Sequence, residues 1–304
     1  MSPVDFYADE LARIPVHASR TTINGVPTAW WNYGPRTGPI DLVMVHGFRG
    51  DHHGLEPFVA KLGESRRIVV PDLPGFGDSG VHGLGASDST AIDGYARWLC
   101  DFVDTIEAQP HTAILGHSFG SIVVAAAFER GLANERCILV NPIAANALSG
   151  PRGILTRLAV WYYHVSAALP EKLGQKLLRN RAIVRIMSAT MAKTPDRALR
   201  RWIHGQHDSY FSSFASRESV LRAFRASVEH DVSEFASSLP EGTLLVAADR
   251  DDITSISRQR ELATKITGSV LTIIPDVGHL VHYEAPGTAA EAIRAYLNES
   301  DSSR

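Results

Sequence analysis

Short apolar runs alternate with amphipathic segments along most of the chain. The runs predicted as strands cover 40–45, 67–70, 112–115, 137–140, 243–247 and 269–274. Their apolar character is continuous rather than alternating, which is typical of strands buried on both faces of a parallel sheet. The segments predicted as helices lie between them, at 55–62, 89–107, 119–131, 258–267 and 287–297. This order predicts an α/β fold with a doubly wound, mostly parallel sheet.

Two regions depart from that order. Residues 22–33 alternate apolar and polar positions around Asn24-Gly25, a pair that favours a tight hairpin turn. The long stretch before the strand at 243–247 carries only helical periodicity. We therefore predict a helical cap inserted into an α/β core. The predicted boundaries are 1–143 and 240–304 for the core and 144–239 for the cap.

Composition and charge narrow the class of protein. The chain has 304 residues, of which 44% are apolar and 21% charged, which is typical of a globular protein with a sizeable core. A net charge of −3 and the absence of a basic signature argue against nucleic acid as a partner. The two cysteines are poor evidence for a disulfide framework. No signal-peptide or membrane-spanning pattern is visible, so we expect a cytoplasmic protein.

A candidate nucleophile follows the predicted strand at 112–115. The sequence Gly116-His117-Ser118-Phe119-Gly120 has the Gly-x-Ser-x-Gly pattern, and it lies between an apolar strand and a helix. In that context the pattern predicts a sharp turn that leaves the serine exposed above the sheet. Ser118 is therefore the predicted catalytic nucleophile.

A serine hydroxyl needs an adjacent base, and the chain has 13 histidines. His279 follows the last predicted strand, and Gly278 before it would let the chain turn there. We predict His279 as the base. His282 is the nearby alternative, and we otherwise expect it to lie beside the site as a substrate-binding candidate.

The base needs an acid to orient it, and three aspartates follow the predicted strand at 243–247. They are Asp249, Asp251 and Asp252. All three could reach the same edge of the sheet. Any of the three gives the chain order Ser, Asp, His that is expected for this arrangement. We favour Asp251, which stands two residues before Ile253 in the loop that ends the strand, and the family resemblance given below supports that choice.

Acyl transfer also needs donors for the developing oxyanion. The backbone N–H of Phe119 directly follows the nucleophile, and we predict the N–H of Phe48 as the second donor. His46 is expected to hold its loop by hydrogen bonds. His52 and His53 follow, and without a carboxylate or cysteine at ligand spacing we expect no metal there. No organic cofactor is expected either.

Together these motifs resemble the α/β-hydrolase superfamily, and in particular its cap-bearing serine hydrolases. The matching segments are His46-Gly47-Phe48, the Asp72 to Ser79 turn, Gly116 to Gly120, Ala248 to Ile253, and Gly278-His279 with Glu284 and Pro286. The resemblance supports Asp251 as the acid, although Ala248 replaces the family's usual glycine. Some members place the acid after the strand that precedes the cap. This chain has Val140-Asn141-Pro142 there, without a carboxylate, which strengthens the prediction of Asp251. The matches do not extend into the cap.

The cap sequence is basic and aromatic. Residues 146–205 hold eleven Lys or Arg and two acids, a net charge of +9, so the rest of the chain carries −12. Apolar residues including Trp161 and Tyr162 recur there at helical spacing, and these two are substrate-binding candidates. The apolar stripe could pack on the core, cover a lipid-like acyl chain, or contact an anionic membrane surface peripherally.

The combined prediction is a serine hydrolase that cleaves a carboxylic ester with a substantial apolar acyl part through an acyl-enzyme. A small-molecule or lipid-like acyl compound is the expected partner. The alternatives that keep the same three residues are a carbon–carbon bond hydrolase, a lactonase or thioesterase, and an acyltransferase. A non-catalytic ligand receptor on the same fold is the alternative from another class.

Overall fold

The computed structural model describes residues 6–81, 91–145 and 153–302. An eight-stranded sheet runs through the molecule in the order β1-β2-β4-β3-β5-β6-β7-β8. The strands are β1 Val16–Ile23, β2 Val26–Tyr33, β3 Leu42–Val45, β4 Ile68–Pro71, β5 Ala113–His117, β6 Arg136–Val140, β7 Leu244–Ala248 and β8 Val270–Ile274. The pairs β1–β2 and β2–β4 are antiparallel, and every later pair is parallel.

Helices cover both faces of this sheet. They are α1 Ala8–Leu11, α2 Glu56–Leu62, α3 Ala91–Thr105, α4 Phe119–Glu129, α5 Gly153–Ala168, α6 Glu171–Leu178, α7 Arg181–Met191, α8 Arg197–Tyr210, α9 Arg217–Glu229, α10 Ile256–Lys265, α11 Val281–Glu284 and α12 Pro286–Ser302. Short 3-10 turns lie at His52–Leu55 and Val232–Ser238.

Alternate residues of the central strands belong to two separate cores. Val43 and Val45 of β3 pack with α3 and α4 on one face, whereas Leu42 and Met44 pack with α2 and α12 on the other. This is the consequence of the period of two along a strand, and it explains why these runs are apolar throughout.

The predicted fold class is confirmed. Each of the six predicted parallel strands is present, with ends within two residues of those expected. The hairpin between β1 and β2 is also present, and its turn residues Asn24 and Gly25 have φ values of +47° and +83°. Positive φ at both positions is what a two-residue hairpin turn of right-handed twist requires.

Helices α5 to α9 lie between β6 and β7 in the chain, and no strand occurs among the described residues of that stretch. We call α5 to α9 the inserted helices. None of the helices in the described ranges is long and apolar enough to cross a bilayer.

Candidate active site

The turn between β5 and α4 places Ser118 at the carboxyl end of the sheet. Ser118 has a φ of +53°, which a non-glycine residue adopts only under local constraint. A Cβ on Gly116 would lie 2.5 Å from the carbonyl oxygen of Gly120, and one on Gly120 would lie 2.3 Å from that of Val45. Both glycines are therefore needed for α4 to pack this closely on β3 and β5. This close packing presents the hydroxyl above the sheet.

Three side chains that are distant in sequence meet at that hydroxyl. His279 Nε2 lies 2.7 Å from Ser118 Oγ, and His279 Nδ1 lies 2.8 Å from Asp251 Oδ2. The other oxygen of Asp251 accepts hydrogen bonds from the backbone N–H groups of Ile253 and Thr254, at 2.7 and 3.2 Å. All three predicted side chains thus form one connected hydrogen-bonded array, and the imidazole and the carboxylate in it are buried.

The neighbouring aspartates point elsewhere. Asp252 is exposed and forms an ion pair with Lys193 of the segment after α7, and Asp249 is exposed at the end of β7. Of the three aspartates left open by the sequence, Asp251 is the one that contacts His279.

Asn141 joins the two loops that carry the acid and the histidine. It lies at the carboxyl end of β6 with a φ of +43° and is fully buried. Its amide nitrogen donates to the carbonyl oxygen of His279 at 2.7 Å, and its amide oxygen accepts from the N–H of Ala248 at 2.9 Å. The sequence marked this position only by its lack of a carboxylate, so its bridging role was missed.

Glu284 makes a similar connection to the inserted helices. One carboxylate oxygen accepts from the N–H of Gly278 at 3.1 Å. The other accepts from the N–H groups of Lys193 and Thr194, which connect α7 to α8. The histidine loop is thereby tied to that connection.

The two predicted oxyanion donors belong to the turn after β3 and to the first residue of α4. Phe119 is the first residue of α4, so its N–H has no acceptor within the helix. The Phe48 N–H has no acceptor among the described residues. A Cβ on Gly47 would lie 3.3 Å from the Cβ of Ser118, so the loop that carries Phe48 packs directly against the serine.

His46 holds that loop, as expected. Its Nε2 accepts a hydrogen bond from the N–H of Leu73 at 2.8 Å, and its Nδ1 lies 2.9 Å from the carbonyl oxygen of Gly47. Burial lowers the pKa of His46, which favours the neutral ring that this pairing requires.

Asp51, His52 and His53 bring one possible ligand atom each within 4.8 Å of one another. Asp51 is therefore a carboxylate next to these two histidines, contrary to the expectation that none stands at ligand spacing. In the structure, His52 Nδ1 lies 2.9 Å from Asp72 Oδ1 and His53 Nδ1 lies 3.1 Å from Asp51 Oδ1. These pairs use both Nδ1 atoms in hydrogen bonds to carboxylates.

A cavity of about 180 Å³ reaches Ser118. The core and the inserted helices both line it, the latter through Met187 of α7 and Gln206 and Tyr210 of α8. Its apolar lining includes Phe48, Leu55, Met187, Met191, Phe211 and Leu280. Histidines line the cavity near the serine. The volume is below the roughly 300–1,000 Å³ of typical small-molecule pockets.

His117 and His282 are buried in the cavity wall and their rings lie 4.1 Å apart. Burial lowers the pKa of His117 to about 3 and that of His282 well below its usual value, so both rings are neutral near pH 7. His282 contacts neither Ser118 nor Asp251 by a hydrogen bond, which leaves His279 as the base candidate.

The aromatic candidates of the inserted helices lie away from this cavity. Trp161 is 66% exposed, and the hydroxyl of Tyr162 donates to the carbonyl oxygen of Leu177 at 3.1 Å. Neither residue lines the cavity that reaches Ser118. Helical periodicity located an apolar side of α5, but it could not say which neighbour that side would face.

A profile of the Alpha/beta hydrolase family matches residues 42–292. This match covers the whole array and most of the chain. The chain belongs to the alpha/beta hydrolase family. Membership agrees with the sheet order and with the position of Ser118 between β5 and α4.

The individual proteins to which the chain is similar are distant from it in sequence. The chain is 31% identical over 107 residues to the magnesium-chelatase 30 kDa subunit of Rhodobacter capsulatus, and that match spans only 33% of the relative's length. It is 25% identical over 270 residues to 2-hydroxymuconate semialdehyde hydrolase of a Pseudomonas species, covering 86% of this chain and 87% of the relative. The enol-lactonase structure from Burkholderia xenovorans superposes with a TM-score of 0.73 at 17% identity, covering 92% of this chain and all of that one.

Proposed function

We propose that this member of the alpha/beta hydrolase family is a serine hydrolase that cleaves carboxylic esters through an acyl-enzyme. The observation that carries the proposal is the pair of contacts that His279 makes, at 2.7 Å to Ser118 Oγ and at 2.8 Å to Asp251 Oδ2. A serine, an imidazole and a buried carboxylate in that order form the constellation that activates a hydroxyl for attack on a carbonyl carbon.

The first half-reaction forms the acyl-enzyme. Ser118 Oγ attacks the ester carbonyl while His279 Nε2 takes its proton, and Asp251 stabilises the resulting imidazolium. The N–H groups of Phe48 and Phe119 donate to the oxyanion of the tetrahedral intermediate. The imidazolium then protonates the alcohol oxygen as the carbon–oxygen bond breaks.

The second half-reaction releases the acid. His279 deprotonates a water molecule, which attacks the acyl carbon and passes through a second oxyanion. The proton returns to Ser118 Oγ as the acyl-enzyme bond breaks, so the enzyme regains its starting state.

The size of the cavity refines the expected substrate. The sequence led us to expect a substantial apolar acyl part, but about 180 Å³ lined by methionine, leucine and phenylalanine side chains favours a short acyl group. We therefore propose a preference for short-chain esters, with the apolar lining excluding charged acyl groups next to the carbonyl.

A carbon–carbon bond hydrolase is the second candidate. It is supported by the 25% identity to a 2-hydroxymuconate semialdehyde hydrolase over most of both chains. The buried, neutral rings of His117 and His282 line the same cavity as Ser118, and a neutral imidazole can donate to a keto oxygen or accept from an enol hydroxyl.

The two candidates separate in one assay series. Purified protein is offered p-nitrophenyl acetate, butyrate, octanoate and palmitate, and in parallel a vinylogous diketo acid. The proposal predicts turnover of the esters with kcat/KM highest for acetate or butyrate. Turnover of the diketo acid without ester turnover would favour the second candidate.

The basic inserted helices also support a proposal about surfaces. Trp161, Leu173 and Ile186 are exposed on α5, α6 and α7, and Lys172 and Lys176 are exposed on α6. We propose that these side chains make weak peripheral contact with an anionic membrane, because exposed apolar groups among cations suit such a surface.

A further inference from the structure

Arg49 is a fully buried cation directly after Phe48, and it is the largest of the fully buried side chains. No carboxylate of the described residues forms an ion pair with it. A buried charge is strongly unfavourable unless other groups compensate for it. The fold must therefore supply that compensation in another way.

The ends of two inserted helices compensate the charge. Arg49 Nη2 donates to the carbonyl oxygen of Leu178 at 2.6 Å, and Nε donates to that of Phe211 at 3.1 Å. Leu178 is the last residue of α6, and Phe211 directly follows α8. Carbonyl groups at helix carboxyl ends carry partial negative charge, so the guanidinium lies between two favourable dipoles.

Aromatic contacts complete the surroundings of the guanidinium. Nη1 lies 3.4 Å from the hydroxyl of Tyr163, and the guanidinium carbon lies 4.7 Å from the ring centre of Phe211. Each nitrogen of the side chain thus has an acceptor in the protein. Arg49 also belongs to the lining of the cavity that reaches Ser118. Because its nitrogens are already paired within the protein, the side chain suits a structural link better than a substrate-binding group.

The other end of this link is the turn that carries the proposed oxyanion donor. The N–H of Gly50 donates to the carbonyl oxygen of Gly47 at 3.1 Å, so residues 47–50 form a closed turn. Arg49 has a φ of +60° within it. Because a positive φ is unfavourable for arginine, the contacts of its side chain help to hold the turn in this conformation.

We propose that Arg49 is a positioning residue that fixes the Phe48 N–H by tying this turn to the carboxyl ends of α6 and α8. The inference rests on the proposed function, because it assigns the Phe48 N–H to the oxyanion. Gln206 and Tyr210 of α8 also line the cavity. The helix that borders the substrate is therefore attached to the turn that stabilises the transition state.

The test compares an oxygen ester with the thionoester of the same acid and alcohol. Sulfur accepts hydrogen bonds poorly, so the oxyanion donors accelerate the oxygen ester far more than the thionoester. In Arg49→Met, we expect the ratio of the two kcat/KM values to fall about 10- to 100-fold, because a displaced donor loses most of its effect. Arg49→Lys should restore part of the ratio.

Arg179→Met is the matched control. Arg179 donates to the carbonyl oxygen of Phe214 at 2.9 Å and its guanidinium carbon lies 4.7 Å from the ring centre of Phe214. Like Arg49, it therefore binds the segment that follows α8, but its bonds do not reach the turn at 47–50. We expect its ratio to equal that of the wild type, even if thermal unfolding shows lower stability.

Each outcome supports or overturns a separate claim. A wild-type ratio in folded Arg49→Met would contradict the inference, whereas no turnover of either ester by the wild type would contradict the proposed function. If the methionine variant does not fold, Arg49→Lys is compared with the wild type instead. A lowered ratio then supports the inference, and a wild-type ratio contradicts it. Failure of both variants to fold would show that Arg49 holds the whole fold rather than one turn, and would overturn the inference.

Discussion

The loops at the carboxyl edge of the sheet and the inserted helices differ in how their residues find partners. In the sheet, Ser118, Asp251 and His279 each follow a strand, and parallel strands bring their carboxyl ends to one edge. In the inserted helices, Met187, Gln206 and Tyr210 reach the cavity, whereas the more conspicuous Trp161 faces outward. Chemistry at a sheet edge thus follows from topology, whereas recognition depends on how each helix is oriented.

Ion pairs neutralise part of the positive charge of the inserted helices, which the net charge of their sequence does not show. Arg185 pairs with Asp208 within the inserted helices, and Lys193, between α7 and α8, pairs with Asp252 of the core. Part of the basic character of the inserted helices is therefore used within the protein. The remaining exposed cations are the ones available to an anionic surface.

The largest expected effect lies in the sheet loops. Asp251→Asn should lower kcat by about 10⁴-fold, because the amide stabilises the wrong tautomer of His279 and cannot stabilise its imidazolium. Asp252→Asn, on the next residue, changes an exposed carboxylate that forms an ion pair with Lys193 and should change kcat by less than about twofold. Steady-state ester hydrolysis measures both. Equal losses in the two variants would break the assignment of Asp251.

A smaller effect is expected from the bridge between these loops. Asn141→Ala removes the bonds to His279 and Ala248, so kcat should fall about 10- to 100-fold as the histidine loses its position. Asn134→Ala is the control, since Asn134 is also buried and bonds to Gln109 and Thr112 at the opposite edge of the sheet. Each substitution should cost about 1–3 kcal/mol in the free energy of unfolding. A kcat loss of equal size in both would show that only stability matters.

The sheet and the inserted helices each contain a buried histidine that should make the free energy of unfolding depend on pH. Burial lowers the pKa of His117 at the end of β5 and of His207 in α8 to about 3. The unfolded chain binds these protons near pH 6.5, so the folded state loses stability as the pH falls from 6.5 toward 3, by up to about 1.4 kcal/mol per pH unit for each group.

Urea unfolding between pH 7.5 and 5 measures this slope. His117→Asn and His207→Asn should each flatten it. A wild-type slope in both buried-site variants would contradict the account of neutral buried rings.

The smallest expected effect concerns Trp161. Trp161→Ala should leave kcat/KM for short esters within about twofold of the wild type, because its side chain is exposed and lies off the cavity. Sedimentation with anionic vesicles should show weak binding by the wild type, reduced roughly five- to tenfold by the substitution. A large loss of ester turnover would place the indole at the substrate after all.

The sequence predicted those parts of the molecule that depend on local pattern and chain order. Continuous apolar runs marked the strands, and the two glycines around Ser118 marked the turn. Asp251 could be preferred over Asp249 and Asp252 only through the resemblance, since all three follow the same strand and give the same chain order. The structure distinguished them by direction and burial.

What the sequence could not predict depends on contacts between distant residues. Asn141, Glu284 and Arg49 each join loops that are far apart in the chain, and no periodicity marks such a residue. Arg49 in particular would be expected at the surface, because a buried guanidinium without a carboxylate is rare. Its position follows from two helix ends that only the folded chain brings together.

The acyl-enzyme at Ser118 is the central claim, and intact-mass measurement tests it most directly. Wild-type protein mixed with a fluorophosphonate should gain the mass of one phosphonyl group, located on Ser118 by peptide mapping, and lose ester turnover in proportion. The Ser118→Ala variant, with a thermal unfolding midpoint equal to that of the wild type, should gain no mass. It should hydrolyse p-nitrophenyl acetate at least about 10⁴-fold more slowly than the wild type. Undiminished labelling or turnover in Ser118→Ala would contradict the account.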